Sequence, residues 1–122
     1  MANEIQASFS LRVANGSFID RFDPPPAIIT QAALGRGGYV QTIGITEEVV
    51  NFGDIVTNGW CVLMNLDTTH YVTYGPEDGG AMVTFGKLEP GEYAWFRVAP
   101  SVVIRALADY APVQLDVRIF ND

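Results

Sequence analysis

Val113-Gln114-Leu115-Asp116-Val117-Arg118-Ile119 alternates apolar and polar side chains at every step. Successive side chains of an extended chain point to opposite faces, so this stretch reads as a strand with one buried and one wetted face. The same period of two runs through Ile5, Ala7, Phe9, Leu11 and Val13, with Gln6, Ser8, Ser10 and Arg12 between them. Asn15-Gly16 follows, a pair suited to the positive φ angles of a tight hairpin. Ser17 to Phe22 then reads as the return strand. These two ends already point to sheet structure, and the middle of the chain repeats the signal.

Trp60 to Leu66 is the most apolar segment and is expected as a central strand buried on both faces. Tyr39–Ile43, Glu47–Phe52, Thr69–Tyr74, Ala81–Phe85, Tyr93–Val98 and Val102–Leu107 are shorter runs rich in β-branched and aromatic residues. Turn signals separate them. Gly53-Asp54, Asn58-Gly59 and Glu89-Pro90-Gly91-Glu92 read as turns, and Gly75-Pro76-Glu77-Asp78-Gly79-Gly80 as a loop. Gly35-Arg36-Gly37-Gly38 reads as a flexible connector. Pro24, Pro25 and Pro26 supply no backbone donors, which places them in an extended connector or edge segment. Ala27 to Leu34 is compatible with a strand or a short helix. The pattern predicts an all-β, single-domain β-sandwich of about eight to ten short strands, with jelly-roll topology as one option. Residues 1–122 form one domain in this reading, with 1–38 an N-terminal hairpin and Pro-rich arm and 39–122 the main sandwich.

Composition sets the limits on function. The 122 residues, 48% of them hydrophobic, are enough for a real core without disulfide or metal. Seven basic against fourteen acidic side chains give a formal charge of −7. A body of that charge is repelled by phosphate backbones and by anionic lipid, so neither nucleic acid nor a membrane is expected as a partner. No apolar run approaches the ~20 residues of a membrane span. The N-terminus lacks the basic and apolar blocks of a signal peptide, which implies synthesis in the cytosol.

Little in the chain points to catalysis. His70 is the one histidine and Cys61 the one cysteine. A hydrolase would need His70, oriented by Asp67, to meet a nucleophile such as Ser101; the simpler reading of His70 is a loop or strand-start residue. Cys61 sits in an apolar run and reads as a small buried hydrophobe. A zinc site or a metal enzyme on a cupin-like fold would need several histidines, which the chain does not have. Calcium would need Glu77 and Asp78 joined by Asp67 or Asp54, whereas paired acids on a loop are more often simply solvated. No catalytic residue, metal ligand or cofactor is therefore assigned. Among the aromatics, Tyr93, Trp95 and Arg97 fall on one face of their strand and Ala94, Phe96 and Val98 on the other. If the second set fills the core, the Tyr-Trp-Arg face is exposed, and those three types are enriched at interfaces. The alternative use of exposed aromatics is to stack on a sugar.

Three blocks carry a family likeness. Gln41-Thr42-Ile43-Gly44-Ile45-Thr46-Glu47-Glu48, Asn65-Leu66-Asp67-Thr68-Thr69-His70-Tyr71-Val72 and Leu88-Glu89-Pro90-Gly91-Glu92-Tyr93-Ala94-Trp95-Phe96-Arg97-Val98, in that order and followed by the Val113–Asp122 strand, resemble small virion structural proteins of tailed phages, of the capsid cement or decoration type. The resemblance covers residues 39–122. It implies a non-enzymatic subunit of the virion, made in the host cytoplasm and bound to the major capsid protein or another virion protein. It also implies self-assembly, with a trimer favoured. Tyr93, Trp95 and Arg97, with Pro24, Pro25 and Pro26 of the arm, are the expected partner interface. A carbohydrate-binding sandwich for host-surface recognition is the competing expectation.

Overall fold

A computed structural model describes residues 3–122. Its described residues are all strand, turn and loop, with no helix among them. In chain order the strands are β1 (Ile5–Ala7), β2 (Leu11–Asn15), β3 (Phe18–Phe22), β4 (Ala27–Ile29), β5 (Arg36–Gly37), β6 (Val40–Ile43), β7 (Glu48–Val49), β8 (Asn58–Asn65), β9 (Val72–Asp78), β10 (Ala81–Met82), β11 (Gly86–Leu88), β12 (Tyr93–Arg97), β13 (Ile104–Ala108) and β14 (Val113–Asn121). The count exceeds the expected eight to ten because pieces of two or three residues pair independently. Two compact units are present, one ending at Ala32 and one spanning Ala33–Asp122.

The second unit is a β-sandwich. One sheet runs β6-β14-β8-β12, with β5 also on β14; the other runs β7-β13-β9, with β10 and β11 on β9. Every pairing is antiparallel. The chain alternates between the two sheets from β6 to β9 and again from β11 to β14. Two sheets ordered this way, linked by such crossings, are a jelly roll. Val113, Leu115, Val117 and Ile119 of β14, Cys61 and Leu63 of β8 and Ile43 of β6 are sealed from water, and they meet Val72, Tyr74, Leu88, Ile104, Ala106 and Ala108 of the facing sheet.

Several local expectations are corrected. β8 is central, but it buries only Gly59, Cys61, Leu63 and Asn65; Trp60, Val62 and Met64 on its outer side are half-buried, so it is not closed on both faces. Gly75-Pro76-Glu77-Asp78 is strand, the second half of β9. Pro76 is tolerated there because its carbonyl still accepts the Val83 N–H at 2.8 Å. Gly75 is required because a Cβ would overlap the Val83 carbonyl oxygen. The turn is confined to Gly79 and Gly80, whose φ angles of 63° and 81° suit a two-residue hairpin. Arg36-Gly37 is not a free loop; it pairs with Ile119 and Phe120. Thr69 to Tyr71 stay outside strand structure, and Glu47–Phe52 contributes only two strand residues.

In the first unit Ile5–Val13 is not one strand. β1 pairs with β4 and β2 with β3, so the chain changes partner at Ser8-Phe9-Ser10. Asn15-Gly16 does turn the β2–β3 hairpin, and Pro24, Pro25 and Pro26 form the link from β3 to β4. Ala27–Ile29 resolves as strand. The expected buried face is only partial: Ile5, Ala7, Phe9 and Val13 are half-buried, whereas Leu11, Phe18, Ile19 and Phe22 are exposed, and Ile29 is the one buried hydrophobic side chain described in this unit.

Candidate interaction face

Antiparallel ladders bring the outer side chains of β12, β8 and β14 into rows. Arg97 stands opposite Trp60, Trp95 opposite Val62 and Tyr93 opposite Met64. On the other side of β8, Val62 faces Arg118 and Met64 faces Asp116. The inner residues Ala94 and Phe96 pack on the core, and Phe96 stacks on Tyr74 with ring centroids 6.0 Å apart. Tyr93, Trp95 and Arg97 are thereby turned outward.

The face is held by aromatic contacts. Trp60 and Trp95 lie with ring centroids 4.7 Å apart, and the Arg97 guanidinium sits 5.3 Å from the Trp60 ring. Such a cation–π contact contributes about 0.5–1 kcal/mol at a surface. Arg97 is fixed from behind by Asp122 at 3.0 Å. The Trp60 Nε1–H is shielded from solvent and has no hydrogen-bond acceptor among the described residues. The sequence pointed to Tyr93, Trp95 and Arg97. It missed Trp60, Val62 and Met64, because a continuous apolar run does not reveal which side stays open. Pro24, Pro25 and Pro26 lie in the other unit, with Pro25 and Pro26 exposed.

The residues weighed for chemistry have other surroundings. Asp67 Oδ2 accepts the N–H groups of His70 at 2.6 Å and Thr69 at 2.9 Å. Those bonds, His70's first, hold its carboxyl below the usual carboxylate range. The His70 ring meets the edge of Tyr110 at 4.4 Å, with Nδ1 3.9 Å from Asp109. Ser101 precedes β13 while Asp109 and His70 lie beyond its far end. Five strand residues separate the two by on the order of 15 Å, so no Ser–His–Asp contact forms. Burial pushes the Cys61 thiol up to about 12. Glu77 is a strand residue paired with Arg105 at 3.0 Å. Among the described residues no three His, Cys, Asp or Glu side chains gather where an ion would sit. A groove of about 610 Å³ lies between β7 and the loops before β8 and β13; it is lined by Tyr39, Phe52, Asn58 and Ser101 among other uncharged residues.

One residue missed by sequence reading ties this end of the sandwich together. Asn65 is fully buried; its amide donates to the carbonyls of His70 and Leu88, each at 3.0 Å, and accepts the Asp67 N–H at 2.8 Å. Its signal was a polar residue at the inward register of β8.

In comparisons with known proteins, no family model, no curated protein and no solved structure matches this chain at a significant level.

Proposed function

We propose that the chain is a structural subunit of a tailed-phage particle, a capsid cement or decoration protein that works through protein–protein contacts. The observation that carries this reading is the outer face of β12, β8 and β14. The solvent side of an antiparallel sheet is normally polar, whereas this one carries Trp60, Val62, Met64, Tyr93 and Trp95 in adjoining rows. Contiguous apolar surface of this kind marks an interaction site, and Trp, Tyr and Arg are the residue types that dominate binding energy at such sites. The virion assignment itself rests on the sequence likeness of residues 39–122 and on fold-level analogy, since jelly rolls recur in viral shells as well as in lectins and cupins. The charge of −7 suits a protein that coexists with packaged DNA without binding it.

The sugar-binding alternative needs an aromatic ring with a free face. Trp60 is covered by Trp95 and Arg97, and of the three aromatics Tyr93 alone is mostly exposed. On this face the protein reading is therefore favoured; Tyr39, Phe85 and Tyr110 are exposed elsewhere on the chain.

The test is cosedimentation of the purified chain with assembled shells that lack it. Wild type is expected to pellet with the shells at a fixed ratio, and a Tyr93→Ser/Val62→Ser variant to stay in the supernatant. A wild type that never pellets with any shell, or that pellets as well with both positions changed, would sink the proposal.

A further inference from the structure

The groove between β7 and the loops before β8 and β13 is a large concavity that the proposed function leaves unused. At about 610 Å³ it falls within the ~300–1,000 Å³ range of ligand pockets. All of its lining residues belong to the Ala33–Asp122 unit, so that unit alone shapes it. None of them carries a formal charge, although 17% of the chain is charged. The wall mixes aromatic and aliphatic side chains with the amides of Gln41, Asn51 and Asn58 and the hydroxyl of Ser101. Its polar groups are held from behind. Buried Gln41 donates to the Val49 carbonyl at 3.0 Å and accepts the Asn51 N–H at 2.8 Å, which ties the chain after β7 to β6. Asn58 donates to the carbonyls of Ala99 at 3.2 Å and Val102 at 3.0 Å. That clamps a turn with Pro100 and Ser101 at its centre, closed by the Val102 N–H to the Ala99 carbonyl at 3.2 Å. Ser101 takes a φ of 68° at the position where a turn of this kind ordinarily carries Gly. A side chain with a Cβ is strained there, and such strain gathers at ligand sites. Glycine would fit more easily; serine adds a hydroxyl at the groove.

We propose that this groove is a binding site for a neutral saccharide, a short uncharged segment of a glycan. A sugar presents hydroxyls at its edges and an apolar C–H face, and the wall has groups for both. The bonds that anchor the polar side chains leave Asn51 Nδ2, Asn58 Oδ1 and Ser101 Oγ without a hydrogen bond from the described residues. They supply a donor, an acceptor and a group that serves as either. Tyr39 supplies a ring for the C–H face. It is exposed and, unlike Trp60, is covered by no other ring or cation among the described residues. Charge decides the kind of sugar. A carboxylated or phosphorylated sugar would find no cation in this wall and would be repelled by the net charge of −7. The groove shares no residue with the outer face of β12, β8 and β14, so the saccharide site and the protein-contact reading stand or fall separately.

The experiment is titration of the isotope-labelled full-length chain, followed by amide chemical shifts, with neutral trisaccharides of glucose, galactose, mannose and N-acetylglucosamine. Sialyllactose, which is anionic, serves as the contrast. At least one neutral trisaccharide is expected to bind at millimolar concentration or below, with shifts at Asn51, Asn58 and Ser101. Sialyllactose is expected to bind at least roughly tenfold more weakly than that trisaccharide. Ser101→Gly relieves the positive φ and is expected to melt at or above wild type while binding the sugar roughly tenfold more weakly, the scale of one lost hydrogen bond. Tyr39→Ala removes an exposed ring and keeps the Tyr39 carbonyl that accepts the Val117 N–H. It is expected to stay folded and to lose affinity by a similar factor. The proposal is overturned if none of the neutral trisaccharides binds, if sialyllactose binds as tightly as they do, if the shifts gather at the Trp60–Trp95 face instead, or if both variants bind like wild type.

Discussion

The two sheets of the sandwich share one core yet differ on their outer faces. Outside β13 and β9, Arg105 lies between Glu77 at 3.0 Å and Glu47 at 3.4 Å, and Glu47 also accepts the Met82 N–H at 2.9 Å. That face pairs its charges within the chain, although the buried Arg105 Nε reaches Glu47 without forming a hydrogen bond. Outside β12 and β8, the counterpart of this ion cluster is Trp60, Trp95 and Tyr93, with apolar Val62 and Met64 between them. The first face is built from ion pairs, the second from aromatic and aliphatic side chains. The strand run of β8 is apolar on both sides, one closed by the core and the other left half-open, and the proposed function gives that open side to a partner.

The comparison can be sharpened within one strand. Leu63 points into the core and Val62 points out. Leu63→Ala is expected to cost about 3–4 kcal/mol, and Val62→Ala under about 1 kcal/mol in the isolated chain, both read from urea unfolding midpoints. Equal losses would mean that the outer face is part of the monomer's core. Next in size, Arg105→Ala should cost about 2 kcal/mol, because it leaves Glu47 and Glu77 facing each other in a partly buried site. Tyr93→Ser at the open face should leave monomer stability within about 0.5 kcal/mol. A large loss at Tyr93, or none at Arg105, would erase the distinction between the faces.

The smallest expected effect is a pH dependence. Backbone N–H groups lower the Asp67 pKa in the folded state, so its stabilising contribution is present above its unfolded pKa, roughly 3.9, and is lost as pH falls through the folded value. Asp67→Asn should therefore melt below wild type at pH 7, and the gap should close on acidification towards pH 2. A gap that stays constant across that range would remove Asp67 as its source.

Much of the fold was legible where the signal is local. Val113–Ile119 alternates and forms a strand with a buried face; Asn15-Gly16 and Glu89–Glu92 are turns, the latter closed by Glu92 N–H to the Glu89 carbonyl at 3.0 Å. What was not legible depends on partners far along the chain. Alternation from Ile5 to Val13 fixes which side chains share a face, but it does not reveal that the chain leaves β4 for β3 at Ser8. Gly75 and Pro76 read as loop residues because local propensity cannot show that Val83 and Ile104 flank them in a ladder. For the site, alternation in Tyr93–Val98 gave one row. The second row, Trp60, Val62 and Met64, was hidden because both sides of β8 are apolar and only the packing distinguishes them. Asn65 and Arg105 were missed for a related reason: each is a single polar residue in an apolar run, and its role lies in the groups that reach it from other strands.

Trp60 and Trp95 are the only tryptophans of the chain, and both lie in the open face. Acrylamide quenching of their emission, compared between dilute chain and chain assembled with itself or with shells, tests the central claim most directly. The account predicts that assembly moves the emission to shorter wavelength and protects it from the quencher. Emission and quenching that are the same in the dilute and assembled states would contradict it.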